Sequence, residues 1–187
     1  MNPIYRAILV AQAKGKSNCS SSTRAALPAA FILIILFGPE AQQARRQAKQ
    51  IQCSTNLRKI GLAFQAYINA DRNGDFPPDL PTLVVSQELS ADVFLDPADP
   101  SRRTEVGPVN NWASKIVPGS DHCDYIYPYQ SGWNQSINPK TIVLYEPLSS
   151  HNGDGINVVY ADGEVNWLET GDASRVIASI QGGHNPP

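Results

Sequence analysis

The sequence predicts an α+β fold in which one long N-terminal helix packs on a small antiparallel sheet. Two observations carry this. Residues 40–70 hold apolar side chains at helical spacing, and residues 141–168 hold three short β runs, two of them joined by an Asp-Gly turn. A third observation excludes a long helical bundle: 15 prolines and 13 glycines in 187 residues demand many turns and irregular connections.

Residues 1–24 read as a flexible basic leader, closed by the serine-rich stretch SNCSSSTR. The apolar segment comes next, at 25–39. Its centre, Phe31, Ile32, Leu33, Ile34, Ile35, Leu36 and Phe37, is uninterrupted, but shorter than the roughly 20 residues that cross a bilayer unaided. A secretory signal core, a buried strand and an anchoring helix are the competing readings. Pro39 spoils a small-residue cleavage site, and the residues after it are helical and basic in character, which favours the membrane anchor. Arg6, Lys14, Lys16 and Arg24 precede the segment and no acidic residue occurs before Glu40, so the N-terminus is expected inside.

Residues 40–70 read as one amphipathic helix, a stalk in its first half and a packing surface in its second. Leu57, Ile60, Gly61, Phe64, Tyr67 and Ile68 fall on one stripe, with Arg58 and Lys59 outside it. Pro77-Pro78 forbids continuation. Leu57, Ile60, Phe64 and Tyr67 are the residues expected to hold the helix to the head, residues 71–180.

Within the head, Leu80 to Leu89 suits a short helix or strand, and 121–130 alternates enough for a strand broken by Pro128. Thr141–Tyr145, Ile156–Tyr160 and Glu164–Leu168 are the three β runs. Each offers an apolar face: Ile142 and Leu144, Val158 and Tyr160, Val165 and Trp167. Such a sheet needs a cover, and the stripe ending at Ile68 is the only long one available. A short helix is expected at 171–180 and a disordered tail at 181–187.

The net charge of −2 gives no reason to expect a nucleic-acid partner. Its distribution, a basic N-terminal third before an acidic body, points to a membrane-associated chain. The three cysteines, Cys19, Cys53 and Cys123, form no C-x-x-C motif. Cys53 and Cys123 would share the extracytoplasmic side, as a pair or as free thiols.

Two blocks resemble the type IV prepilin-like proteins abundant in planctomycetes. The helix PEAQQARRQAKQIQCSTNLRKIGLAFQAYINADRNGDFPPDL matches at Pro39, Ala44, Arg45, Cys53, Asn56, Leu57, Gly61, Leu62, Tyr67, Phe76, Pro77 and Pro78. HNGDGINVVYADGEVNWLE resembles that family's prepilin-processing-associated His…Asp-Gly motif, here His151, Asp162 and Gly163. The chain departs from the pattern in three ways. No acidic residue supplies the prepilin signal, ten residues rather than nine separate His151 from Asp162, and Asp96 stands where many relatives carry a cysteine before Pro-x-Asp-Pro. The resemblance implies a pilin-like or pseudopilin-like fold and a single-pass inner-membrane location with the head outside. Its implied partners are membrane lipid, other pilin-like subunits and secretion or pilus assembly proteins.

The candidates for chemistry are few. His151, Asp154 and Asp162 contain the types of a metal or acid–base site. Turn geometry accounts for Asp162-Gly163, and His151 is expected to bond a neighbouring backbone group. Asp71-x-Asn73-Gly74-Asp75 has the oxygen ligands of half a calcium loop but no closing glutamate, so a helix cap is the simpler reading. Trp112, Trp133, Trp167 and the tyrosines of YIYPY are expected in a core more than on a sugar-binding surface. The expectation is a structural protein with no catalytic residue, cofactor or metal. A polysaccharide-binding head and a hydrolase using His151, Asp154 and Asp162 are the alternatives.

Overall fold

A computed structural model describes residues 26–97 and 105–187, with side chains from Glu40 onward. The expected leader and the side chains of the apolar run Phe31–Phe37 lie outside the described residues. The chain divides into two compact units, 1–44 and 45–187. It is α+β. Helix α1 covers Ala26–Ala70, α2 Leu80–Gln87 and α3 Thr170–Gln181; strands β1 (Ile142–Tyr145), β2 (Gly155–Tyr160) and β3 (Val165–Glu169) form an antiparallel meander in that order. Among the described residues no helix is long and apolar enough to cross a membrane.

The buried stripe of α1 begins at Cys53 and runs through Leu57, Ile60, Phe64 and Ile68, whereas Glu40 to Lys49 are exposed. Burial of one stripe orders this half of α1, because packing rather than propensity supplies most helical stability. At Gly61, α1 lies close against the sheet. A Cβ there would lie 3.1 Å from Val159 Cγ1 and 3.3 Å from the Gly163 carbonyl. One turn on, Gln65 Nε2 donates to the Ala161 carbonyl at 2.5 Å.

Helix α1 stops at Asp71. Asp71 Oδ2 accepts from the amides of Asn73 (2.8 Å) and Asp75 (3.1 Å), so this oxygen is spent on the turn. Leu80–Gln87 is a helix and not a strand, because Asp79 Oδ1 accepts from the Thr82 amide at 2.8 Å and Pro81 sits in the first turn.

The sheet is covered on both faces. One cluster joins Leu57, Ile60, Phe64 and Ile68 to Leu80, Leu83, Val143, Leu144 and Val159. The other joins Ile142, Tyr145, Ile156 and Val158 to Ala173, Ile177 and Ile180 of α3. This corrects the single-face expectation. Val158, Tyr160 and Ile142 turn toward α3, while Leu144 and Val165 belong to the α1 side. The β1–β2 register shifts between Ile142 and Leu144, which puts these two residues of one strand on opposite faces.

Residues 121–130 do not form the expected strand. Only Ile126 pairs, with Tyr145 (2.8 and 3.0 Å), and Pro128, lacking an amide hydrogen, cannot extend the ladder. At the other end of β1, Asn185 of the C-terminal tail donates from Nδ2 to the Ile142 carbonyl (2.8 Å) and accepts from its amide (2.9 Å). Both ends of this edge strand are therefore paired, one to a loop and one to the tail.

Candidate functional site

The segment after β1 brings together the densest group of chemistry-bearing side chains. Glu146 directly follows β1 and its side chain is only 3% exposed. Its Oε2 accepts from the Asn157 amide (2.7 Å) and from Asn157 Nδ2 (3.0 Å), and lies 3.0 Å from His151 Nε2. A buried carboxylate needs such partners, since desolvation without them costs several kcal/mol.

His151 reaches Glu146 because the chain turns back on itself. His151 (φ 52°) and Asn152 (φ 59°) both adopt the left-handed conformation, which side chains other than glycine seldom take. Gly155, the first residue of β2, has no room for a side chain: a Cβ would sit 2.4 Å from the Leu168 carbonyl and 2.5 Å from Trp167 Cζ2. That close approach lets the Trp167 ring pack edge-on against the imidazole, with centroids 5.3 Å apart. The imidazole is 7% exposed. Burial opposes its protonation, but the hydrogen bond and charge of Glu146 outweigh this, and its pKa rises above the usual 6.5.

The third member comes from α1. Cys53 is 1% exposed, and its Sγ donates to Asp96 Oδ1 at 3.7 Å. Burial, then the negative charges of Glu146 and Asp96, push the thiol pKa far up. Asp96 is held in turn by its amide, which donates to Asp124 Oδ2 at 2.6 Å. The ligand atoms of Cys53, Glu146 and His151 all lie within 4.8 Å of one another. Tyr125, 1% exposed, is electrostatically coupled to Cys53, Glu146 and Asp96, and its hydroxyl has no hydrogen-bond partner among the described residues. Beside the trio, Gln50, Ile51, Ser54 and Arg58 of α1 line a groove of about 470 Å³ with Asn157 and Trp167, the partners of Glu146 and His151.

The predicted residues fare unevenly. His151 bonds a side chain, Glu146, and not the backbone group expected, because its left-handed φ swings it toward the buried carboxylate. Asp162 is not part of this constellation. It sits in the turn beyond the far end of β2, where it accepts from the Glu164 amide (2.9 Å) and pairs with Lys140 (3.3 Å). Six residues of extended strand, about 20 Å, separate the two ends. Gly163 completes that turn with φ 84°. Asp154 reaches the trio through its amide, which donates to the His151 carbonyl at 3.2 Å, and through its charge on His151. Leu57, Ile60 and Phe64 are core residues, and Tyr67 packs at the edge of the same cluster. Cys53 and Cys123 are both buried and are not joined to each other; Cys123 Sγ donates to the Tyr125 carbonyl at 3.5 Å. Sequence reasoning missed Cys53 and Glu146 as neighbours of His151. Only the coincidence of a cysteine on the buried stripe and a glutamate ending an apolar strand signals them.

Comparison with family models, with curated proteins and with solved structures finds no match to this chain.

Proposed function

We propose that this chain is a membrane-anchored, pilin-like structural protein of the bacterial envelope, acting in assembly or display and not in catalysis. The observation that carries the reading is the division of α1. Its stripe from Cys53 to Ile68 is buried by the head, its residues 40–49 are exposed, and the helix begins upstream of the apolar run 31–37. A helix spent partly on its own head and partly on something else is what a pilin-like subunit requires. On this reading Phe31–Phe37 holds the chain in the inner membrane or packs against other pilin-like subunits, with the head outside. The Cys53–Asp96 contact supports the resemblance, because position 96 is where many of the resembled proteins carry a cysteine, although this chain departs from them in carrying an aspartate.

The two alternatives are less well supported. Trp112 and Trp133 are 5% and 7% exposed, and the rings of Phe64, Phe76, Tyr127, Tyr129 and Trp133 pack on one another, which leaves few aromatics for a flat sugar-binding face. A hydrolase using His151, Asp154 and Asp162 would have to join residues at opposite ends of β2, about 20 Å apart. Fractionation of cells expressing the full-length chain tests the reading. It should sediment with the inner membrane and need detergent for release, and Leu33→Arg with Ile35→Arg should shift it to the soluble fraction. A wild-type chain that stays soluble without detergent would refute the anchor.

A further inference from the structure

We propose that Cys53, Glu146 and His151 form a zinc site that clips helix α1 to the β1–β2 corner. Sulfur, nitrogen and oxygen ligands converge from distant parts of the chain, with every pair of ligand atoms within 4.8 Å. Tetrahedral zinc places its ligand atoms roughly 3–4 Å apart, given bonds of about 2.0–2.3 Å. The 3.0 Å separation of His151 Nε2 and Glu146 Oε2 is already close to that spacing.

The chemistry of the donors selects the ion. A buried thiolate excludes calcium and magnesium, which take oxygen, while a mixed sulfur, imidazole and carboxylate set suits zinc. Charge also balances. One thiolate and one carboxylate neutralise a divalent cation, so the ion and its three ligands together carry no net charge, and the thiol proton and the Nε2 proton that His151 presents to Glu146 both leave to solvent. Without a cation, the same pocket gathers the acidic groups Cys53, Glu146 and Asp96 around one histidine.

Three further features fit a metal centre. Outer contacts that orient two of the ligands are in place: Asn157 donates twice to Glu146, and Trp167 packs against His151. The Tyr125 hydroxyl, buried and without a partner among the described residues, is coupled to the same acidic groups, and water completing the coordination would satisfy it. The left-handed backbone at His151 holds its imidazole against Glu146, in the position a ligand would take. The site is independent of whether the chain is anchored, so its failure would leave the proposed function untouched.

The test uses the full-length chain in detergent, reduced, stripped by chelator and then freed of it. Zinc alone is titrated in competition with a chromophoric indicator, and cobalt is added as a spectroscopic substitute. One equivalent of zinc should bind, and cobalt should give a thiolate-to-metal charge-transfer band. Cys53→Ser should abolish that band, whereas Cys123→Ser, at the other buried thiol, should keep it. Glu146→Gln and His151→Gln should each weaken zinc binding at least about tenfold. Circular dichroism reports whether each variant folds; if Cys53→Ser does not, the two near-isosteric variants decide. Folded wild-type protein that binds no zinc overturns the proposal, as do folded Glu146→Gln and His151→Gln variants that bind it as wild type does.

Discussion

Replacing Phe64 by alanine removes the ring around which the head is organised. Phe64 is 1% exposed, its centroid lies 5.2 Å from that of Tyr127 and 6.0 Å from that of Phe76, and it shares a cluster with Val143, Leu144 and Val159 of the sheet. Truncating a buried phenylalanine costs about 3–5 kcal/mol, from lost transfer energy and the cavity left behind. The upper half of that range applies here, because two ring–ring contacts worth about 0.5–1.5 kcal/mol each disappear with it. A domain has only about 5–15 kcal/mol in hand, so the variant should be close to unfolding. At about 2–4 °C per kcal/mol for a chain of this length, the midpoint should fall by roughly 8–20 °C. Leu62 is the control: it sits on the same helix two residues away but is 63% exposed, and Leu62→Ala should change stability by less than about 0.5 kcal/mol. Thermal or urea denaturation of the full-length chain, followed by fluorescence of the buried Trp112 and Trp133, reads both. If Phe64→Ala and Leu62→Ala melt alike, α1 does not cover the sheet through this stripe, and the structural argument for a pilin-like head fails.

Local geometry sets two further outcomes. Gly155→Ala should destabilise the protein by about 1–3 kcal/mol or more, because the new Cβ meets the Leu168 carbonyl at 2.4 Å, whereas Gly171→Ala, with nothing within 4 Å, should be neutral or stabilising; equal melting temperatures for the two would refute this. The Asp71 carboxyl should titrate below the usual 3.8 in an NMR titration, because the amides of Asp75 and Asn73 bond its charged form; a value at or above 3.8 would refute the cap. Its folded pKa is depressed, so the associated stability is present above the unfolded value and is lost as pH falls through the folded one, and Asp71→Asn should flatten that acid limb.

What the sequence determined by itself was local. The stripe from Leu57 to Ile68 comes from the 3.6-residue period and the turn at Asp162-Gly163 from one residue suited to each position; each interaction spans a few residues. Tertiary structure decided the rest wherever two readings satisfied the same local pattern. Thr141–Tyr145 and Ile156–Tyr160 are apolar at nearly every position, so alternation could not show that α3 covers one face while α1 covers the other. The DHCDYIYPYQ segment alternates like a strand, yet among the described residues it forms a β-bridge only at Ile126. The trio of Cys53, Glu146 and His151 was hidden for the same reason. Read singly, they are a buried helix position, the end of a strand and a loop histidine. Only the crossing of α1 over the sheet, and the left-handed turn at His151, put their ligand atoms within 4.8 Å.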